Sequence, residues 1–335
     1  MVGIVVFAVS PSYVGKLIGR IIFGLGFEPL EVCQDAILVR WFGGQKRRGP
    51  SLPFSFAICF ALSIFGQFLG LNVIPMLHAY VGDLNKVYYV VAILCVTGWV
   101  SNVVYVLMDI NASAELKLDS HQEHDVVTPL AIKQFPISFW LLMAISFFGY
   151  SCQYVFMIFA SDYMHEKWGY QPINASHMAS LVYLLGMLIA PLVGFFIEKK
   201  GHATSFMGCG LIIFAVSSIM MMLLPPEFSP LLPLLLMGVA YAAVPASIWS
   251  VVASIIPEHL SGTAYGTLTA FISLSLVVVP FCVGRIRDTF GSYEPMHLLF
   301  TFCGILSFVG VIVLCKYTDM LPAPTHEPLK ELEVV

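Results

Sequence analysis

The stretch YVGKLIGRIIFGLGFEPLEVCQDAILVRWF, residues 13–42, decides the fold class of this chain. It is long enough to cross a bilayer as a helix, since about twenty residues suffice. It nevertheless contains Arg20, Glu28, Glu31 and Asp35. An ionisable side chain at the centre of a membrane helix costs at least about 2.5–3.5 kcal/mol. Four such residues in one span therefore indicate a helix face turned toward a helix bundle or a water-filled cavity.

The three carboxylates of this stretch share one face of the predicted helix. At about 100° per residue, Glu28 and Asp35 lie within about 20° of each other, and Glu31 lies about 60° from Glu28. Arg20 precedes Glu28 by two turns, so we expect it to act as a local counter-charge. Two glycines and a proline beside Glu28 are expected to loosen the backbone. The pattern predicts the wall of a solute pathway.

The composition of the whole chain predicts a polytopic membrane protein. Of its 335 residues 59% are hydrophobic and 11% charged, whereas soluble domains carry about 25% charged residues. The net charge of -4 and the lack of a large basic cluster give no reason to expect a nucleic-acid partner. The eight cysteines fall inside apolar runs and are expected to pack as small core residues. The sequence suggests no cofactor, no metal site and no enzyme.

Nine apolar runs of about twenty residues are predicted to cross the membrane. They lie near residues 13–40, 52–75, 87–109, 135–160, 175–197, 203–224, 230–256, 263–285 and 295–317. Residues 1–10 form a further apolar piece that is too short to cross, at about 15 Å as a helix. The longest polar interruption, residues 110–133, separates three spans from six.

This interruption sets the predicted domain boundaries. We expect an incomplete N-terminal bundle over residues 1–110, a cytosolic central loop over 111–133, a C-terminal bundle over 134–318 and a disordered cytosolic tail over 319–335. Lysines and arginines cluster directly after the first span, at Arg40 and residues 46–48, and basic loops favour the cytosolic side. The end of the 13–40 span is therefore predicted to face the cytosol.

Several short motifs resemble those of the major facilitator superfamily. Residues 194–202, GFFIEKKGH, resemble its G-x-x-x-D-x-x-G-R/K loop, and residues 20–26, RIIFGLG, resemble its fourth-helix motif. The chain resembles more closely one branch of the superfamily, whose members transport small peptides across the lysosomal membrane. That likeness is carried by GFEPLEVCQ at 26–34, FPISFWL at 135–141 and PEHLSGTAYG at 257–266.

The resemblance implies an all-α fold of two six-helix bundles with a substrate site between them near the midplane. On its register the chain holds a remnant of the third helix followed by helices four to twelve, and lacks the first two helices and part of the third. The function implied is alternating-access transport of small polar solutes, either dipeptides or amino-acid-like amines. The membrane implied is lysosomal or another endomembrane, with the plasma membrane as the alternative.

The partners expected are the solute and the lipid bilayer. Members of the resembled branch associate with a glycosylated single-span protein, so the resemblance also suggests such an accessory partner. The alternative function is that of a truncated, non-transporting membrane protein or scaffold that acts with a partner subunit.

Five residues are predicted to bind substrate. By resemblance, Glu28 matches a fourth-helix glutamate that contacts the peptide amino group, Tyr150 a seventh-helix tyrosine and Trp249 a tenth-helix aromatic. Gln153 and Tyr154 follow Tyr150 on one helical face, where they are expected to extend a stacking and hydrogen-bonding wall. The alternatives are a structural or proton-binding role for Glu28 and plain packing for the aromatic side chains.

Four other charges are predicted to be structural or gate-forming: Arg20, Glu31, Asp35 and Glu198. The family's fifth-helix arginine, which holds the peptide carboxylate, has no counterpart, because residues 51–75 contain no lysine or arginine and Leu62 stands near its place. A polar pair of the eleventh helix becomes Ile272 and Ser273. Without a bidentate cation a carboxylate loses its strongest contact, which makes an amine or a neutral solute plausible.

Overall fold

The computed structural model describes residues 2–42, 51–115, 132–133, 135–257 and 260–320, and within them the chain is helical without a β-strand. Its helices are α1 (Val2–Val9), α2 (Tyr13–Phe42), α3 (Leu52–Val81), α4 (Leu84–Glu115), α5 (Ile137–Ile145), α6 (Ser151–Trp168), α7 (Pro172–Lys200), α8 (Ala203–Leu223), α9 (Leu231–Ile255), α10 (Ser261–Phe290) and α11 (Met296–Met320). A π-helical turn, Ser146–Tyr150, joins α5 to α6, so that these three pieces form one span.

Each predicted span coincides with a helix, and the polytopic membrane fold is confirmed. In the described residues, eight helical segments are long and apolar enough to cross a membrane. The remaining predicted span, α2, has 30 residues, but its charged side chains distinguish it from those eight. It continues through Pro29 without interruption, so the expected loosening does not break the helix.

The predicted loops lie mostly outside the described residues. These include residues 46–48, most of the central loop, Glu258 and His259 of the PEHLSGTAYG stretch, and most of the tail. α4 extends to Glu115, so the first five residues of the predicted 111–133 loop are helical. The boundaries of the two bundles stay a prediction.

The two halves of the chain meet along α3, which packs lengthwise against α7. Gly194 of α7 makes this approach possible, because a Cβ in its place would collide with the Ala57 Cβ and lie 3.1 Å from the Pro53 carbonyl oxygen. Gly238 of α9 has the same role against α7, with the Val182 carbonyl 3.0 Å from the position of a Cβ. Small residues let membrane helices approach closely. The first glycine of the 194–202 motif is thus a packing position.

The end of that motif forms the turn between α7 and α8. Gly201 has φ +71° and donates its backbone N–H to the Ile197 carbonyl at 2.8 Å. His202 follows with φ +59°, a conformation that is uncommon for residues other than glycine. Its Nδ1 lies 2.6 Å from the Lys200 carbonyl oxygen. Glu198 is exposed on the last turns of α7.

A polar network ties the end of α6 to its neighbours. The Lys167 ammonium, whose side chain is 6% exposed, donates to the Met221 and Met222 carbonyls at 3.0 and 2.7 Å and pairs with Glu294 at 2.8 Å. A cation at this place satisfies the free carbonyls at the C-terminus of α8. Glu166 accepts the Tyr293 backbone N–H at 2.9 Å. The network fixes the ends of α6, α8 and α10 to one another.

Candidate functional site

The carboxylates of the candidate site lie on α2, which packs against α1, α3 and α10. Glu31 interacts electrostatically with both Glu28 and Asp35, so the three groups follow one another along the helix as predicted. Arg20 is placed differently from the expectation. Its guanidinium lies 5.5 Å from the ring centroid of Phe7 in α1, and the described residues show no ion pair between it and Glu28. A cation–π contact with the adjacent short helix replaces the expected counter-charge.

Burial increases along α2 toward its predicted cytosolic end. Arg20 is exposed, Glu28 and Glu31 are half-buried, and Asp35 is only 3% exposed. One carboxylate oxygen of Asp35 has no hydrogen-bond partner in the described residues. A buried carboxyl with an unpartnered oxygen is costly unless it meets a ligand or a proton.

The last turns of α2 contact α10. Leu38 and Val39 are buried in one apolar cluster with Tyr265 of α10. Asp35 interacts electrostatically with Tyr265 and with Cys59 of α3. A small cavity of about 200 Å³ lies beside this contact, between Val39 and Tyr265. The position suits a gate, although the gating role of Asp35 stays a prediction.

Aromatic side chains from the π-helical turn, α6 and α9 form a wall. Tyr150 contacts Tyr154 with ring centroids 4.9 Å apart and Trp249 of α9 at 6.2 Å. The structure thus brings together the three aromatic residues that the sequence singled out. Tyr150 is almost fully buried, whereas Tyr154 and Trp249 are partly exposed. Rings at these distances in edge-to-face geometry stabilise one another.

Three residues that sequence reasoning missed extend this wall. Tyr241 of α9 lies 5.4 Å from Tyr154 and 5.3 Å from Tyr183 of α7, between ring centroids. Its hydroxyl donates to the Gln67 Oε1 of α3 at 3.2 Å, and Tyr154 also interacts with Gln67. The wall therefore joins helices from both halves of the chain. In the sequence, single tyrosines inside apolar spans gave no sign of this pairing.

The π-helical turn sets the position of Tyr150. The turn ends at this residue, and the Ser151 hydroxyl donates to the Ser146 carbonyl at 3.1 Å across it. Gly149 lies against α8 and α11, where a Cβ would stand 2.5 Å from Leu211 and 2.9 Å from Ser307. π-Turns inside α-helices are rare and frequently occur at functional sites.

Gln153 is placed differently from its neighbours on α6. It is fully buried, and neither amide atom has a hydrogen-bond partner among the described residues. It therefore does not line an open surface in this arrangement. A buried, unpartnered amide costs free energy. Gln153 therefore lies beside the wall as an unsatisfied polar group and is not part of the wall's surface.

Two acidic side chains of α2 interact electrostatically with the aromatic wall. Glu31 interacts with the tyrosine pair Tyr150 and Tyr154, and Asp35 with Tyr150. Glu28 interacts electrostatically with Glu31. Leu62, near the place of the family's arginine, is 65% exposed. The described residues contain no cluster of three or more metal-binding side chains.

Comparison with known proteins agrees with the helical membrane fold. The model of the Major Facilitator Superfamily matches residues 1–280 and again residues 139–334. The human organic anion transporter MFSD10 (TETRAN) has a similar fold, with a TM-score of 0.65 and 18% sequence identity over 93% of this chain and 74% of that one. At this identity the likeness shows the fold alone.

Relatives with closer sequences are lysosomal dipeptide transporters named MFSD1. The protein of Gallus gallus is 28% identical over 306 residues, which cover 89% of this chain and 67% of the relative. The Homo sapiens protein is 26% identical over 305 residues, 88% of this chain and 64% of the relative. The chain spans about two thirds of the length of these relatives. The match of the family model across nearly the whole sequence, together with the helical fold, shows that this multi-pass membrane protein belongs to the Major Facilitator Superfamily, a family of transporters rather than enzymes.

Proposed function

We propose that the chain is a secondary transporter of small polar solutes that works by alternating access. The observation that carries this proposal is that Glu31 and Asp35 of α2, on one side, interact electrostatically with the aromatic wall of α6 and α9, on the other. Each side belongs to a different half of the chain. A solute bound between them would contact both halves of the chain. Alternating access requires these halves to move relative to each other.

Glu28, Tyr150, Tyr154 and Trp249 are the proposed substrate-binding residues, and Gln153 would join them after a rearrangement that uncovers its amide. Arg20, Glu31, Asp35 and Glu198 are proposed as structural or gate-forming charges. The relatives are lysosomal dipeptide transporters. Dipeptides or amino-acid-like amines are therefore the proposed solutes, and the lysosomal membrane the proposed location.

The test is uptake of radiolabelled alanyl-alanine and of its C-terminal amide into vesicles that contain the full chain. Glu28→Gln should abolish uptake while the protein is still produced and inserted, because it removes the charge but keeps the shape of the side chain. Glu227→Gln, in the exposed loop between α8 and α9, is the matched control. Normal uptake by the Glu28→Gln variant would remove Glu28 from the site.

A second candidate function is that of a scaffold that acts with a partner subunit. Such a partner would be a single-span accessory protein. It is favoured by α4, whose most apolar stretch has no buried residue. An apolar groove of about 910 Å³ runs between α1, α2 and α4. Purification of the full chain from its native membrane in mild detergent separates the candidates. A stoichiometric membrane partner without measurable uptake would support the scaffold, and uptake by the purified chain alone would refute it.

A further inference from the structure

We propose that Tyr265 is a positioning residue that links the aromatic wall to the contact between α2 and α10. When Trp249 moves, Tyr265 passes the movement on to α2 at the predicted cytosolic end. The inference rests on the proposed function and deepens it, because it names the residue that couples substrate binding to opening of that end. Tyr265 is only 1% exposed, so it acts through Trp249 and does not itself contact the solute.

The first support is the place of Tyr265 among four helices. Its ring lies 6.4 Å from that of Trp249 on α9 and 5.8 Å from that of Phe56 on α3, between centroids. Together with Val39 of α2 it lines the small cavity of about 200 Å³. α2 and α3 belong to the N-terminal half of the chain, whereas α9 and α10 belong to the C-terminal half. One side chain therefore contacts both halves.

The second support is a hydrogen bond between Tyr265 and the backbone of the wall. The Tyr265 hydroxyl donates to the Trp249 carbonyl oxygen at 3.2 Å, and the Trp249 ring lies 6.2 Å from that of Tyr150. Hydrogen bonds weaken steeply when their geometry is distorted. A shift of Trp249 along or across α9 would therefore either move Tyr265 with it or break this bond.

The third support is that α9 and Tyr265 have room to move. Pro245 lies inside α9, one turn before Trp249, and a proline removes one helical hydrogen bond. α9 therefore resists bending less at this level than an unbroken hydrogen-bonded helix would. The cavity beside the Tyr265 ring is also lined by Val252 and Ala253 of α9. A ring next to free space can change its position without a collision.

The fourth support is the location of the contact between α2 and α10. The Val32 Cγ1 lies 3.7 Å from the place where a Cβ of Gly266, the neighbour of Tyr265, would stand. Further from this contact, Leu25 of α2 and Val277 of α10 are largely exposed. The close approach of the two helices thus lies beside Tyr265, where a shift of its ring acts on it directly.

The test measures how often α2 and α10 are in contact. Val32→Cys and Gly266→Cys, introduced together into the full chain in vesicles, place two sulfur atoms within bonding reach. The rate of disulfide formation with copper phenanthroline, followed by mass spectrometry of the linked peptides, reports the closed contact. Gly266→Cys alone shows whether this position pairs with a natural cysteine instead.

Tyr265→Phe keeps the ring and removes the hydroxyl that donates to the Trp249 carbonyl. It should slow disulfide formation about fivefold. Tyr163→Phe is the matched control, because this buried hydroxyl also donates to a backbone carbonyl, that of Met221 at 2.8 Å, away from the contact. It should leave the rate unchanged. An unchanged rate in Tyr265→Phe overturns the inference, and so does an equal loss in Tyr163→Phe.

The response to solute distinguishes coupling from a merely structural role. An excess of alanyl-alanine should change the rate of disulfide formation at least twofold when Tyr265 is present. It should have no effect in the Tyr265→Phe variant, because the path from Trp249 to α2 is broken. Equal responses of the two proteins overturn the inference.

Uptake of alanyl-alanine by vesicles that contain the unmodified chain separates this inference from the proposed function. A solute-dependent rate of disulfide formation without uptake supports the role of Tyr265 and contradicts the transporter. Uptake with a rate that ignores the solute supports the transporter and contradicts the role of Tyr265. The absence of both effects contradicts both proposals.

Discussion

α4 and α9 are two apolar helices with opposite surroundings. The most apolar stretch of α4 has no buried residue, whereas 72% of that of α9 is buried. α9 presents small residues such as Gly238, Ala240 and Ala243 to its neighbours, and α4 presents large ones such as Trp99 and Ile93 to the outside. Hydropathy thus places a helix in the membrane, but the size and position of its side chains decide whether other helices pack against it.

The glycines show the same difference. Gly149, Gly194 and Gly210, in the C-terminal half, each lie against a neighbouring helix with no room for a Cβ. Gly26 of α2 and Gly98 of α4 have nothing within 4 Å of that position. Gly3 of α1 and Gly19 of α2 also have no room for a Cβ, because these two helices pack against each other. The open faces are therefore those around Gly26 of α2 and on α4, not the whole N-terminal side. The four predictions that follow test this contrast.

The largest loss of stability is expected when a side chain is added at a glycine that contacts another helix. Gly194→Leu forces α7 away from Ala57 on α3 and should destabilise the protein by about 3 kcal/mol, because overpacking strains the backbone. Gly98→Leu is the matched control on an open face and should change stability little. Thermal unfolding of the purified proteins in one detergent measures both. Equal unfolding temperatures would show that the two faces do not differ.

The second effect concerns the polar network at the end of α6. Lys167→Met leaves the carbonyls of Met221 and Met222 and the carboxylate of Glu294 without their cation. We expect a loss of about 2 kcal/mol, moderated because Glu294 is half-exposed and can be solvated. Lys199→Met, at an exposed position, should have no measurable effect in the same unfolding assay. A stable Lys167→Met variant would mean that water replaces the ammonium without cost.

The third prediction is a gain in stability. Gln153→Leu replaces a fully buried amide without partners by an apolar side chain of similar size, which should stabilise the fold by about 1 kcal/mol. Gln34→Leu, on an exposed face of α2, is the control. If Gln153 is needed during transport, the variant should be more stable and less active in vesicle uptake. A less stable variant would reveal a partner for the amide that forms in another state.

The smallest effect is expected at the hydrogen bond between Tyr241 and Gln67, which joins the two halves. Tyr241→Phe removes the hydroxyl that donates to Gln67 and should cost about 0.5–1 kcal/mol. Tyr89→Phe, on the exposed side of α4, should cost nothing. Chemical denaturation with a mild ionic detergent resolves differences of this size. A loss as large as that of Gly194→Leu would indicate that this bond, rather than helix packing, joins the halves.

Helix positions were predictable, because a run of twenty apolar residues has few alternatives in a membrane. One predicted detail was wrong, because Arg20 lies on Phe7 instead of pairing with Glu28. The loosening expected at Pro29 leaves α2 a continuous helix. The long Arg20 side chain can reach several alternative partners. A proline removes only one helical hydrogen bond. Neither outcome follows from spacing along one helix.

The site was predictable only in part. Tyr150, Tyr154 and Trp249 were found because they stand in recognisable stretches, and they do meet in one wall. Tyr183, Tyr241 and Gln67 were missed because a single tyrosine or glutamine in an apolar span is more often a packing residue. Their pairing depends on how α3, α7 and α9 cross. The π-turn before Tyr150, which rotates the rest of α6, also has no sequence signature.

The sequence by itself determined the membrane fold, the superfamily and the acidic face of α2, because hydropathy and helical periodicity are local properties of the chain. Only the tertiary structure decided which side chains face that acidic stretch, which glycines are contacts, and which helix faces stay open. These depend on distances between helices far apart in sequence, and such distances are set by close packing of small residues. The sequence therefore predicts the kind of protein, and the packing decides which side chains meet at the candidate site.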